Sequence, residues 1–252
     1  MTDPREAATL LAIGADTNGY AESSGVPWDD DLGTYNLRAL EQRNALLALD
    51  ARANLAALRR VIEPPTASIP ILCGGDSITV GESSADGTGY RGWLTDLLAR
   101  RRITANLTTV AQGGRTMREM APVILAALPT AKPSVVLLAF GTNDVAQPDM
   151  TDWQARCGQL VDQILSSSPT VRVALARIAY SRAAWLANGE AAIDTAVDAV
   201  VAARKASGRV VAADMTVVPQ RWTNEGVHPL DAGYLMMAQQ WLDAINPWLP
   251  TT

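Results

Sequence analysis

The run IPILCGGDSIT, residues 69–79, decides the fold. Residues 69–73 form a short apolar stretch bounded by turn residues, and read as a buried strand. Gly74-Gly75-Asp76-Ser77-Ile78-Thr79 follows directly, a tight glycine-permitted turn that sets a hydroxyl at a strand end, where a substrate can reach it. Ser77 is therefore a candidate nucleophile. Gly-Asp-Ser is equally an ordinary turn sequence, so the assignment depends on partners elsewhere in the chain.

Downstream of this run, apolar stretches alternate with helix-length amphipathic segments, the pattern of strands joined by crossover helices in a parallel sheet. Strands are expected at residues 69–73, 104–110, 134–140, 171–178 and 209–214. Helices are expected at 91–100, 117–128, 152–165, 190–205 and 232–245. Five strands and five helices make an α/β protein, a three-layer α/β/α sandwich whose reactive groups gather on loops at the carboxyl ends of the strands.

Upstream, residues 34–62 contain neither Gly nor Pro, are dense in Ala, Leu, Arg and Glu, and are followed by Pro64 and Pro65, which predicts one long helix. Residues 15–33 are rich in Gly, Asp and Ser and read as irregular. Residues 1–66 are thus expected to be an N-terminal extension, and 67–252 the catalytic domain. Within the expected helix, Leu37, Leu40, Asn44, Leu47, Ala51, Asn54, Leu58 and Val61 follow at alternating spacings of three and four, a heptad seam suited to a homo-oligomer. A second apolar row, Leu46, Leu49, Ala53 and Ala56, widens that face, so the helix is equally suited to lying flat on its own catalytic domain.

The 252 residues are enough for a substantial core without metals or disulfides. A net charge of −5 argues against a nucleic-acid partner and favours a neutral or sugar-like substrate over a polyanion. The two cysteines, Cys73 and Cys157, form no CxxC pattern and read as small core residues. No apolar stretch approaches the roughly 18 residues of a membrane span. Met-Thr-Asp-Pro-Arg-Glu has no basic n-region leading into an apolar stretch, so the expectation is a soluble protein without an evident signal peptide, either cytoplasmic or exported by a non-classical route, as for a virion component.

A nucleophilic serine needs a base, and the chain contains one histidine, His228, in Asn224-Glu225-Gly226-Val227-His228-Pro229. Glu225 is placed to accept a proton on Nδ1 and leave Nε2 facing the serine. Acyl transfer also needs donors aimed at a developing oxyanion. Two loops offer them: Gly113-Gly114-Arg115-Thr116 after the second strand, through the Gly114 N–H, and Gly141-Thr142-Asn143-Asp144 after the third, through the Asn143 side-chain amide. Asp76, beside Ser77, suits bracing of the loop better than pairing with Nδ1.

These four segments, GDSIT, the glycine block, GTND and a carboxylate-x-x-His block before the last helix, resemble in kind and order the motifs of the SGNH (GDSL-type) hydrolase superfamily. The resemblance covers roughly residues 69–248. It implies Ser77 as nucleophile and, through its own N–H, as oxyanion donor, with Gly114 and Asn143 as the other donors and His228 as base. It further implies a flavodoxin-like sandwich and no metal or organic cofactor. The family has Asp three residues before the histidine where this chain has Glu225, which leaves two arrangements: Glu225 orients the imidazole, or a backbone carbonyl does so in a Ser/His dyad.

Within the superfamily, GDSIT followed by Gly89-Tyr90-Arg91 and the ending Gly226-Val227-His228-Pro229-Leu230-Asp231-Ala232-Gly233-Tyr234 look most similar to carbohydrate acetylesterases. The implied activity is hydrolysis of short-chain acyl esters, acetyl foremost, on a small molecule or carbohydrate. Alternatives are a lipid or lysophospholipid acyl hydrolase, and a non-catalytic binding module on the same fold. Trp153, Trp185 and Trp222 are candidates for a sugar platform, although tryptophans in a chain with one Phe are expected mostly in the core.

Overall fold

The computed structural model describes residues 65–147, 150–178, 189–219, 223–224 and 226–250. The expected helix over 34–62, and with it the expected oligomerisation segment, lies outside the described residues, as do Glu225, Trp185 and Trp222.

In chain order the elements are β1 (Ala67–Gly75), α1 (Ser77–Val80), α2 (Tyr90–Arg100), β2 (Ile103–Ala111), α3 (Met117–Ala131), β3 (Val135–Ala139), α4 (Thr142–Ala146), α5 (Trp153–Ser167), β4 (Arg172–Arg177), α6 (Glu190–Arg204), β5 (Val210–Asp214), β6 (Thr223–Asn224), β7 (His228–Pro229) and α7 (Asp231–Ile245). β1 to β5 form one sheet in the order β2-β1-β3-β4-β5, and every pairing is parallel. The five expected strands and five expected long helices are all present, with ends displaced by at most three residues. The largest displacement is at α3, expected to stop at Leu128 before Pro129. Leu128 is packed in the core, and the helix continues through Pro129 to Ala131 before Lys132 ends it in the left-handed region at φ 42°.

The strand sequences explain the layering. In β3, Val-Val-Leu-Leu-Ala is buried at every position, as a central parallel strand covered on both faces must be. Alternate residues along the strands supply two separate cores. On one face Leu72, Val136, Leu138, Val173 and Leu175 pack with Ile124 of α3, Leu160 and Ile164 of α5, and Ile193 of α6. On the other, Ile71, Cys73, Leu137, Ala174, Ala176 and Ala213 pack with Leu94 and Leu98 of α2 and Tyr234 and Trp241 of α7. Small residues on β4 and β5 leave room on that face for Trp241, whose ring lies tilted against Tyr90 at 5.7 Å between centroids. Trp153 is likewise core, 3% exposed, which removes it as a sugar platform.

Cys73 and Cys157 are buried free thiols, and burial pushes both up to about 12, so neither is a thiolate nucleophile near neutral pH. Among the described residues no helix is long and apolar enough to cross a membrane.

In this strand order, the chain leaves β1 through α2 on one face and leaves β3 through α5 on the other. The loops after β1 and β3 therefore diverge and open a crevice at the carboxyl end of the sheet. Both flank it.

Candidate active site

Ser77 is the first residue of α1, a single turn that sequence periodicity is too short to reveal. Asp76 caps it, its side chain accepting the Ile78 N–H at 3.0 Å. At that first helical position no intrahelical carbonyl can take the Ser77 N–H. Tight seating of α1 on β1 requires glycine at 75: a Cβ there would stand 2.0 Å from Thr79 Oγ1 and 2.8 Å from the Ala139 carbonyl oxygen. Thr79 also accepts a hydrogen bond from the buried Tyr90 hydroxyl at 3.2 Å.

His228 arrives on a two-stranded antiparallel hairpin, in which Thr223 faces Pro229 and Asn224 faces His228. These strands of two residues were not expected from the sequence. Asn224 donates through Nδ2 to Ser83 Oγ at 3.1 Å, which pins the hairpin to the loop after α1. The same loop is held by α7: the Ala85 N–H donates to Asp231 at 3.2 Å, and the Tyr234 hydroxyl to the Glu82 carbonyl at 2.7 Å. So braced, His228 Nε2 lies 2.8 Å from Ser77 Oγ, the hydroxyl donating when the ring carries its proton on Nδ1. Ser77 is 5% exposed.

The glycine block and the GTND block lie against each other beside this pair. Gly113 packs near Ser77, where a Cβ built on it would be 3.6 Å from Ser77 Cβ. Gly114 adopts φ 73°, a conformation that favours glycine, and a Cβ there would meet nothing within 4 Å, so its backbone borders open space. Asn143 Nδ2 donates to the Arg115 carbonyl at 3.2 Å, and Gln147 Nε2, one turn further on, donates to the Gly114 carbonyl at 2.7 Å. Asp144, wholly buried, accepts the Met117 N–H with both carboxylate oxygens at 3.2 Å. Asn143 and Asp144 of α4, with Gln147 just after it, thus hold the glycine block and the start of α3 in place.

Ser77, His228, Gly114 and Asn143, expected together from the sequence, are brought to one end of the sheet. Asp76, expected to brace the loop, does so as the cap of α1. Burial pushes its carboxyl up to about 7, and the neighbouring Asp144 adds to the rise against the opposing Ile78 N–H. Two residues of the site went unnoticed in the sequence. Gln147 was legible only as a position four after Asn143. Glu82 places Oε2 at 3.3 Å from His228 Nε2, a contact that depends on how the loop after α1 folds back.

The model of the GDSL-like lipase/acylhydrolase family matches residues 73–236. Among solved structures, the family 3 carbohydrate esterase of Clostridium thermocellum is similar at 20% identity and a TM-score of 0.62, over 72% of this chain and 96% of that one. Axe2, an acetylxylan esterase from Geobacillus stearothermophilus, is similar at 21% identity and a TM-score of 0.57, over 75% and 98%. Variants described as catalytic mutants of Axe2 replace a serine, a histidine and an aspartate three residues before that histidine. No curated protein sequence matches the chain.

Proposed function

Since the chain belongs to the GDSL-like lipase/acylhydrolase family and is a serine ester hydrolase, we propose that it removes short acyl groups, acetyl foremost, from carbohydrate esters. The observation that carries the reading is the 2.8 Å contact between His228 Nε2 and Ser77 Oγ, set beside two loops that present amide donors. His228 takes the Ser77 proton as Oγ attacks the ester carbonyl. The N–H groups of Ser77 and Gly114 and the Asn143 amide receive the oxyanion. Collapse of the tetrahedral intermediate passes the proton from Nε2 to the departing alkoxide, and water then releases the acyl group by the same path in reverse.

Glu225 stands three residues before His228, the spacing of the aspartate and histidine replaced in the Axe2 variants, and in this reading it orients the imidazole. The carbohydrate leaving group is supported by the likeness to two carbohydrate esterases and by the chain's net charge of −5.

The test is rapid mixing with p-nitrophenyl acetate. The wild-type chain should release nitrophenol, and Ser77→Ala and His228→Ala should each fall by several powers of ten while remaining folded. More than about a hundredth of the wild-type kcat in either variant would remove the assignment. Acetylated xylo-oligosaccharides and a lysophospholipid, compared by kcat/KM, separate the substrate classes. Preference for the lysophospholipid would overturn the carbohydrate reading.

A further inference from the structure

Glu82 is a carboxylate in the crevice for which the serine hydrolase mechanism has no use. Its backbone is fixed at both ends, the N–H donating to the Ser77 carbonyl at 3.1 Å and the carbonyl accepting from the Tyr234 hydroxyl at 2.7 Å. Its side chain is therefore delivered to the site by the same turn that carries the nucleophile. Oε2 lies 3.3 Å from His228 Nε2. Oε1 lies over Gly113, 2.5 Å from where a Cβ on that residue would stand. No arginine or lysine among the described residues pairs with it, and its side chain is 47% exposed at the opening.

The direction of the reaction gives this position a meaning. The acyl oxygen turns toward the donors on the glycine and GTND loops. The leaving oxygen must come to Nε2, the atom that returns the proton. A carboxylate 3.3 Å from that same nitrogen therefore faces the alcohol half of the ester rather than the acyl half. In a sugar, a free hydroxyl on the carbon next to the esterified one lies within the same reach. Such a hydroxyl is a donor, and Glu82 is an acceptor held ready for it. An anionic group at that place would meet a like charge.

We propose that Glu82 is a specificity-determining residue for the alcohol moiety, accepting a hydrogen bond from a hydroxyl vicinal to the ester oxygen and excluding anionic alcohols. This rests on the esterase reading above and adds the chemical pattern of the leaving group: a neutral vicinal diol with one hydroxyl acylated. Discrimination by a placed charge works in both directions, attraction for the donor and repulsion for the anion.

The experiment compares kcat/KM on four acetyl esters for the wild-type chain, Glu82→Gln and Glu82→Ala. The esters are a monoacetylated methyl xyloside with its neighbouring hydroxyl free, the same ester with that hydroxyl methylated, an acetylated methyl glucuronoside carrying a free carboxylate, and p-nitrophenyl acetate. A hydrogen bond to a charged group is worth about a tenfold preference or more. The wild-type ratio of free-hydroxyl to methylated ester should therefore fall about tenfold in Glu82→Ala. Glu82→Gln, which keeps an acceptor without the charge, should retain part of that ratio and gain on the glucuronoside relative to the methylated xyloside. A merely structural role would lower all four esters by one common factor and leave both ratios unchanged, and that result would overturn the proposal. Should the wild-type chain hydrolyse none of the four, p-nitrophenyl acetate included, the esterase reading falls and this inference with it. Hydrolysis of p-nitrophenyl acetate with unmoved ratios removes Glu82 alone.

Discussion

Asn143 carries two amide N–H groups, and the structure uses one of them, donated to the Arg115 carbonyl at 3.2 Å. In the proposed mechanism the remaining N–H is the side-chain donor to an oxyanion at Ser77. Asn143→Ala should accordingly lower kcat by about a hundredfold or more with a smaller effect on KM, because an oxyanion donor acts mainly in the transition state. Steady-state kinetics on p-nitrophenyl acetate measures this, and an unchanged kcat would place Asn143 outside the chemistry. Glu225 is the second residue whose role kinetics can separate. If it holds the proton on Nδ1, Glu225→Gln lowers kcat and leaves KM nearly as it was, while Glu225→Asp is tolerated. A wild-type rate in the Gln variant would assign the orienting contact to a backbone carbonyl.

Among the elements, the decisive junction is that of β1 with α1. The strand ends on Gly75 because α1 turns back on it, bringing Thr79 Oγ1 to within 2.0 Å of where a Cβ on residue 75 would stand. Gly75→Ala forces α1 away from the strand, and with it Ser77 away from Nε2. The variant should lose about 1–3 kcal/mol of stability in urea unfolding, as overpacked sites do. It should also lose kcat disproportionately, since a displacement of about 1 Å in a reacting atom is enough to cost about a hundredfold. Unimpaired activity would show that α1 is not held by this contact. The hairpin of β6 and β7 is the other critical element. With two residues in each strand it has little stability of its own, and its position comes from the Asn224 contact to Ser83.

For the molecule as a whole, the placement of Asp76 between Ser77 and the wholly buried Asp144 links the site to stability. Its carboxyl is raised by burial from an ordinary value near 3.8 to about 7. Below pH 4 the folded and unfolded chains both hold this proton and no penalty arises. Between pH 4 and 7 the unfolded chain gives it up while the folded chain retains it, so the Asp76 contribution to stability declines as pH rises and is fully lost above about 7. Asp76→Asn, which can still accept the Ile78 N–H, has no such slope. Urea unfolding at several pH values should show the variant gaining on the wild type by at most about 1.4 kcal/mol per pH unit across this window. A difference independent of pH would mean that the carboxyl titrates in its ordinary range.

The five strands, the five long helices and four members of the candidate site were legible in the chain because they rest on local information. Apolar period distinguishes β3 from α3 within a few residues, and Ser77, Gly114, Asn143 and His228 each sit in a short segment directly after a long strand or before the last long helix. The parallel order of strands then brings those segments to one end. What only the tertiary structure decided are contacts between segments remote in sequence: Glu82 with His228, Tyr234 with the Glu82 carbonyl, Gln147 with the Gly114 carbonyl, and Asn224 with Ser83. Each involves at least one short segment with no periodicity to read, whose course depends on backbone turns such as those at Gly81 and Gly226, both at positive φ. Side chains a loop apart meet or miss according to a few degrees of such a turn, a choice made by packing against the rest of the fold rather than by the residues themselves.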